Sequence, residues 1–203
     1  MRVIHIIPSA FEYFNDIRAQ AFTLVDGLCT LGVETEAFTL QYGSTTRSAK
    51  EAVRSNAPSV HTYQGSADMR GVIQALEDFD LVHLHCPFLG AGRQLLAWKK
   101  NNPTVPLVVT YYRDVAFSDV FSLFIKLYNA YFLPKMFSIA DALICDNGYE
   151  LAQLSGSKYI PAQKQVVCLD EIMLAKEWGK LDKKQAVAAK VVLVYNNLLN
   201  HEL

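Results

Sequence analysis

The chain has 203 residues, of which 51% are hydrophobic and 19% charged, and this much apolar material excludes a disordered chain. The length suits one α/β domain and is short for two. Lys and Arg number 19 against 20 Asp and Glu, so the basic excess typical of a nucleic-acid-binding protein is missing and we expect no nucleic acid. The four cysteines form no Cys-x-x-Cys pair, which argues against a zinc ribbon and favours buried thiols in a reducing compartment.

Short apolar runs alternate with helical patterns along the chain. In chain order we predict a strand at 2–7, a helix at 15–31, strands at 33–40 and 60–63 separated by a polar segment at 43–59, a helix at 68–78, a strand at 81–85, a helix at 89–101, a strand at 107–110, a helical stretch at 117–140, a strand at 142–145, a short helix at 149–155, a strand at 165–169 and a mostly helical segment at 172–199. This alternation implies parallel strands with helical crossovers, hence a single Rossmann-like, doubly wound α/β sheet with helices on both faces.

Ligands of such sheets bind beyond the carboxyl ends of the strands. The loop after the first strand, residues 8–15, contains no glycine, whereas a dinucleotide site needs Gly-x-Gly-x-x-Gly there, and the P-loop pattern is absent from the sequence. We therefore expect no NAD, FAD or other cofactor. The aromatic side chains of this loop, Phe11, Tyr13 and Phe14, either line a sugar or lipid pocket or cap the core.

Two histidines alternate in the run Asp-Leu-Val-His-Leu-His, so His83 and His85 point to the same face of their strand. Such a pair can bind a metal, but a catalytic zinc site needs a third ligand and the sequence indicates no obvious one. We predict instead that His83 is hydrogen-bonded beneath the strand end, that His85 faces the cleft and that no metal binds.

The run Val-Val-Thr-Tyr-Tyr-Arg-Asp carries two phenols, a guanidinium and a carboxylate out of a buried strand, at Tyr111, Tyr112, Arg113 and Asp114. Polar groups at such strand ends belong to binding sites more often than to the core. Arg113 and Asp114 can equally form a surface ion pair of little energetic value.

The segment 121–137 is apolar nearly all round, with Lys126 and Lys135 as its charged residues and Pro134 predicting a bend. It either covers the sheet or contacts a membrane or a lipid-linked ligand, and we favour burial of most of it with one interfacial face. No run of about 20 uncharged apolar residues exists, and the N-terminal run is too short for a signal peptide. We therefore expect a cytoplasmic protein, at the inner face of the membrane if this segment contacts lipid.

These motifs occur in an order that resembles a known family. The opening strand, Leu-Gly-Val-Glu-Thr-Glu, Asp-Leu-Val-His-Leu-His, Val-Val-Thr-Tyr-Tyr-Arg-Asp and Ala-Asp-Ala-Leu-Ile-Cys-Asp are together similar to the N-terminal, acceptor-side domain of GT-B glycosyltransferases of the family-4 type. The resemblance implies a Rossmann-like domain at 1–169 that binds the acceptor, facing a C-terminal domain that binds the nucleotide-sugar through a Glu-x7-Glu motif. It also implies sugar transfer with retention of configuration and without a metal.

The tail resembles the last helices of family members, through Glu177-Trp178 and Tyr195-Asn196-Asn197-Leu198-Leu199. In the family the final helix returns from the second domain and packs on the first. The resemblance therefore implies that 170–203 form a helical tail packing on 1–169. We expect its apolar stripe to contain Val187, Val191, Val194, Tyr195 and Leu198.

The chain departs from the family in three ways. The Gly-Gly loop after the first strand is replaced by Ser9-Ala10-Phe11, the histidine that follows the Val-Val-Thr strand corresponds to Tyr112, and no donor domain or suitable Glu-x7-Glu follows Leu169. Sugar transfer needs a preorganised group that stabilises the departing nucleoside diphosphate. We therefore expect no turnover by the isolated chain.

Two hypotheses follow. The chain is the acceptor half of a glycosyltransferase of polysaccharide biosynthesis, binding a sugar or lipid-linked sugar, with a separate polypeptide or a missing segment supplying the donor site. Alternatively it is a non-catalytic interaction or regulatory protein whose cleft face binds a partner or a second copy of itself. Under the first hypothesis Arg113 holds an anionic acceptor group and Tyr112 stacks on a sugar. The predicted acceptor-binding residues are Phe11, His85, Tyr111, Tyr112, Arg113, Asp114 and Asn147.

Overall fold

The computed structural model describes residues 1–8, 15–40, 61–65, 73, 76–88, 92–113, 126–145, 165–169 and 182–200. Within these residues seven parallel strands form one sheet in the order β3-β2-β1-β4-β5-β6-β7. The strands are β1 (Arg2–Ile7), β2 (Glu34–Leu40), β3 (His61–Gly65), β4 (Leu81–Cys86), β5 (Leu107–Tyr111), β6 (Ala142–Cys145) and β7 (Gln165–Cys168). The predicted doubly wound α/β sheet is confirmed.

The described helices are α1 (Asn15–Thr30), α2 (Gly92–Asn101), α3 (Leu133–Ile139) and α4 (Lys183–Asn200), with a 3-10 turn at Leu76–Asp78 and a π-helical turn at Tyr128–Phe132. The predictions for 43–59 and 149–155 lie outside the described residues. In the part of the chain that the structure describes, no helix is long and apolar enough to cross a membrane.

The helices cover the two faces of the sheet. α1 and α4 pack on one face, over a core that includes Val3, Leu28 and Val108. α2 and α3 pack on the other face, over residues such as Ile4 and Leu84. β1 and β4 are buried on both faces, as central strands of a parallel sheet are expected to be.

Both helices of the first face bury the residues that their periodicity predicts. The inner face of α1 contains the predicted Ile17, Ala21, Leu24, Val25 and Leu28, all of which are buried. The predicted stripe of α4 lies in the same core, with Val191, Val194 and Tyr195 buried and Val187 and Leu198 partly buried. The helical periodicity of these two segments therefore identified the faces that pack on the sheet.

Two glycines shape the path of the chain around α1. Gly32 follows the helix with φ 81°, a conformation that favours glycine, and the amide of Val33 donates to the carbonyl of Leu28 at 3.1 Å. Gly27 lies where α1 meets α4, and a Cβ atom added there would be 2.9 Å from the Cβ of Ala188. The absence of a side chain at Gly27 thus allows the two helices to approach closely.

A buried lysine holds the turn between α2 and β5. The Nζ atom of Lys99 donates to the carbonyls of Pro103 at 2.9 Å and Val105 at 2.8 Å, and lies 2.8 Å from Oδ2 of Asp141. The same carboxylate accepts the backbone N–H of Leu107 at 2.7 Å. These contacts align the start of β5 with β6.

The described part of the 121–137 segment begins at residue 126. Its π-helical turn leads into α3, where Pro134 occupies the first turn and is buried. A proline is well tolerated there because it lacks only an N–H that the helix would leave unpaired. Tyr128, Leu133, Met136 and Phe137 are buried, and Phe132 and Ile139 are partly buried against the same core. Leu127 and Tyr131 are 55% and 63% exposed.

Candidate functional site

The sheet changes its winding direction between β1 and β4, because β2 and β3 lie to one side of β1 and β5 to β7 lie beyond β4. Doubly wound sheets bind ligands at the carboxyl ends of the strands near such a switch point. On the α1/α4 face this region carries His5 from β1 and His83 and His85 from β4. His5 pairs in register with His83, and all three side chains are fully buried.

The three imidazoles pack together in a cluster, called here the histidine stack, in which one hydrogen bond joins two of the rings. His5 Nδ1 lies 3.0 Å from His85 Nε2. His83 is hydrogen-bonded through both ring nitrogens, Nδ1 to the hydroxyl of Tyr195 at 2.5 Å and Nε2 to Oγ1 of Thr110 at 2.6 Å. The hydrogen bonding predicted for His83 beneath the strand end is therefore confirmed. Tyr195 also ties α4 to the centre of the sheet.

Burial keeps the histidine stack uncharged. It lowers the pKa of His5 from its ordinary value of 6.5 to about 3. It lowers the pKa of His83 and His85 well below the same value, and repulsion by the charged forms of the neighbouring imidazoles lowers them further. At neutral pH the stack is a set of neutral donors and acceptors beneath the strand ends.

The histidine stack brings enough nitrogen atoms together for a metal ion, since one from each ring lies within 4.8 Å of the others. Coordination needs ring planes that converge on the ion, because the nitrogen lone pairs lie in those planes. His85 is instead stacked on both of the other rings, at 20° to His83 and 27° to His5, while the rings of His5 and His83 are tilted by 43° to each other. The arrangement suits hydrogen bonding between neutral rings better than metal coordination.

The sequence analysis did not include His5 among the site residues. It could have been predicted, because a doubly wound sheet that changes direction after β3 places β4 beside β1. His5 and His83 then lie on neighbouring strands and on the same face of the sheet.

A cavity of 360 Å³ opens beside the histidine stack, between α1, α4 and the carboxyl ends of β5 and β7. We call it the α1/α4 cavity. Tyr112 lies between the α1/α4 cavity and the histidine stack, since its hydroxyl lies 2.9 Å from His85 Nδ1 and its ring stacks on His85 at 21°. The described lining residues are Ala19, Gln20, Thr23, Leu24, Thr110, Tyr112, Leu169, Lys184 and Val187.

The predicted acceptor-binding residues separate into distinct places. His85 is fully buried and reaches the α1/α4 cavity only through Tyr112. Tyr111 points to the opposite face of the sheet, is 2% exposed and packs edge-on against Phe137 at 5.4 Å. Alternation along the strand puts Thr110 and Tyr111 on opposite faces. Phe11, Asp114 and Asn147 lie outside the described residues.

Arg113 forms a two-pronged ion pair with Asp16 in the first turn of α1. Its NH1 atom lies 3.0 Å from Oδ2, and NH2 donates to Oδ1 at 3.1 Å. The two side chains are 41% and 49% exposed, so the pair contributes little to stability. Asp114, the partner that the sequence suggested for Arg113, lies outside the described residues, and the described partner is Asp16.

Comparison with known proteins identifies the family. A family model described as Glycosyl transferase 4-like domain matches residues 17–168, which is well over half of the chain. The chain belongs to this family. No curated protein matches it. The glycosyl transferase 4-like match includes α1 and the strands from β2 to β7, and therefore His83, His85, Thr110 and Tyr112. The resemblance to family-4 glycosyltransferases that the sequence motifs indicated is thereby confirmed.

The matched range ends before α4, which supplies Tyr195 to the histidine stack and Lys184 and Val187 to the cavity wall of this glycosyl transferase 4-like domain. Sequence reasoning predicted that a tail helix packs back on the domain but did not place Lys184 in a site. Nothing in the local sequence marks this lysine, because its position depends on how α4 crosses α1.

Proposed function

We propose that this domain binds a sugar acceptor in the α1/α4 cavity and that the 203 residues by themselves do not transfer sugar. The observation that carries the proposal is the cavity itself, which lies at the carboxyl ends of β5 and β7 in a glycosyl transferase 4-like domain. Its 360 Å³ falls within the range of small-molecule sites. Apolar walls with a few polar groups are typical of such sites.

Tyr112 is the aromatic group that would contact the sugar. Its hydroxyl is hydrogen-bonded to His85, which is itself hydrogen-bonded to His5, so the ring is held from behind by a buried network. Preorganised side chains bind ligands more tightly because less conformational entropy is lost on binding. The neutral histidine stack thus supports a role in orienting Tyr112 rather than in acid–base chemistry.

The proposed lack of turnover follows from the sequence patterns for binding a nucleotide-sugar donor, which the 203 residues do not contain. A departing nucleoside diphosphate needs positioned donors or cations that stabilise its developing charge. The sequence contains neither a Glu-x7-Glu pattern nor a P-loop. We propose that a separate segment or polypeptide supplies the donor half.

Calorimetry and thermal shift measurements test both parts of the proposal. We expect a soluble polyprenyl-phosphate-sugar mimic to raise Tm, because a ligand that binds only the native state stabilises it by about 2.7 kcal/mol at 100 times Kd. Tyr112→Ala should abolish the shift, and Tyr131→Ala, which removes an exposed tyrosine on the other side of the sheet, should keep it. A shift that Tyr112→Ala leaves intact would contradict the site, and sugar transfer from a nucleotide-sugar by pure protein would contradict the lack of turnover.

We also propose that the exposed surface formed by Leu127, Tyr131 and Lys135 binds an anionic membrane. Leu127 and Tyr131 are the most exposed large hydrophobic residues among those described, and Lys135 Nζ lies 4.5 Å from the ring of Tyr131. The described residues 126–140 contain two lysines and no acidic residue. Apolar side chains flanked by lysines suit an anionic membrane surface.

Vesicle sedimentation tests the membrane proposal. We expect binding to vesicles that contain phosphatidylglycerol and none to pure phosphatidylcholine vesicles, with loss of binding in the Leu127→Ser, Tyr131→Ser double variant. Equal sedimentation of this variant would contradict the proposal. A concentration-dependent dimer that the same variant abolishes would assign the surface to self-association instead.

A further inference from the structure

Among the described residues that line the α1/α4 cavity, the one charged side chain is that of Lys184 on α4. Lys184 and Val187 lie one turn apart on α4 and line the α1/α4 cavity together with Gln20 and Thr23 of α1. Among the described residues no carboxylate lies within ion-pair distance of Lys184, and none of the described lining residues is acidic. The described lining of the cavity therefore carries a positive charge on its α4 side.

Two acidic groups at the starts of α1 and α4 are already engaged. Asp16 is paired with Arg113, and Asp182 accepts the backbone N–H of Gln185 at 3.0 Å as a cap of α4. The first turn of α4 contains no acidic residue. A lysine there lies at the positive end of the helix dipole, which is an unfavourable place for a cation. An anion bound beside Lys184 would relieve this repulsion.

The remaining lining suits a sugar ring. Thr23 donates its hydroxyl to the carbonyl of Ala19 at 2.9 Å, so its oxygen still accepts a hydrogen bond from a ligand hydroxyl. The amide of Gln20 offers both a donor and an acceptor. Leu24, Leu169 and Val187 provide apolar surface for the non-polar face of a ring.

We infer that the ligand of the α1/α4 cavity is a sugar bearing an anionic substituent, a carboxylate or a phosphate, which pairs with Lys184. This inference rests on the proposed acceptor site and names the chemical class of the acceptor. It assigns the counter-charge to Lys184 because Arg113 already binds the carboxylate of Asp16 through both of its terminal nitrogens. It also makes α4, which lies outside the family match, part of the binding site.

Nuclear magnetic resonance titration of the 203-residue protein tests the inference with three probes on one ring. Methyl glucoside is neutral, methyl glucuronide carries a carboxylate, and glucose 6-phosphate carries a phosphate. We expect the anionic probes to shift the amide signals of Leu169 and Val187 at concentrations about tenfold lower than the glucoside, as one charge-assisted contact of about 1.4 kcal/mol predicts. The preferred anion then distinguishes a carboxylate from a phosphate acceptor.

Matched variants separate the contributions of the cations. Lys184→Gln should remove the tenfold preference for the anionic probes over the glucoside, while Lys100→Gln on α2 should behave like wild type. About 0.5 M salt should also weaken the preference, because it screens a partly exposed charge pair. Loss of the preference in Arg113→Gln but not in Lys184→Gln would overturn the assignment to Lys184.

Two further outcomes distinguish this inference from the proposed function. Equal binding of all three probes, with loss of binding in Tyr112→Ala, overturns the anionic acceptor and leaves the acceptor site standing. Failure of every probe to shift the cavity signals overturns both.

Discussion

Acidification should destabilise this protein steeply, because three buried histidines must stay neutral for it to fold. In the unfolded chain they titrate near the ordinary histidine pKa of 6.5, whereas burial lowers the pKa of His5 to about 3 and those of His83 and His85 well below 6.5. The unfolded state therefore binds more protons than the folded state below pH 6.5. The contribution of the neutral histidines to the free energy of unfolding is therefore complete above pH 6.5, and it is lost as the pH falls toward their folded-state pKa values.

The size of the effect follows from proton linkage. A histidine that titrates at 6.5 when unfolded and stays neutral when folded loses about 2 kcal/mol of stability between pH 7 and pH 5. Because the pKa values of His83 and His85 are also lowered, the three histidines together lose up to about 6 kcal/mol over this interval, with a limiting slope of about 4 kcal/mol per pH unit near pH 5. Domains of this kind have a total stability of about 5–15 kcal/mol, so a loss of about 6 kcal/mol ranges from about two fifths of the total to all of it.

Urea unfolding at pH 7, 6 and 5, followed by circular dichroism, measures this slope. His5→Gln removes one of the three titrating groups and should lower the slope by about one third, whatever its effect on stability at pH 7. The Hε1 proton resonances of the three histidines should show no titration between pH 7 and the onset of unfolding. A slope below about one proton per molecule near pH 5, or a folded-state titration of His5 near 6.5, would refute the reasoning.

Three substitutions test the packing around the site by urea unfolding. Gly27→Ala should lose about 1–3 kcal/mol through the close approach to Ala188, although alanine favours a helix, and Ala188→Gly should restore part of the loss. An unchanged midpoint would contradict that approach. Tyr195→Phe removes the partner of His83 Nδ1 and should cost about 1–3 kcal/mol, and a neutral result would mean that the hydrogen bond is unimportant. Lys99→Met should cost about 2 kcal/mol by leaving two carbonyls unpaired, and a stabilising effect would count against this role.

Most of the fold could be predicted from local sequence patterns. The ends of β1 and β6 agree with the predicted 2–7 and 142–145, because central parallel strands are apolar on both faces, Pro8 ends the first run and Asp141 and Asp146 bound the other. Gly32 marked the end of α1 because few other residues adopt a positive φ. The long helix expected at 117–140 differs in its described part, where a π-helical turn precedes α3, since apolar periodicity does not distinguish the two helical forms.

The candidate site was only partly predictable. Its strand-end location followed from the parallel topology, and Tyr112 and His85 were among the residues expected there. Tyr111 was expected beside them but points to the other face, because the one-residue alternation of a strand separates it from Thr110. The motif itself does not show that Thr110 faces the cavity and that Tyr111 faces away from it.

The sequence by itself determined the order of strands and helices, the buried faces of α1 and α4, and the family, because these depend on periodicity and on motifs within short windows. Only the tertiary structure joined His5 to His85 across 80 residues, paired Arg113 with Asp16, and set Lys184 of α4 opposite α1. Such contacts depend on how strands and helices cross in space, and residues distant in the chain carry no local signal of their meeting.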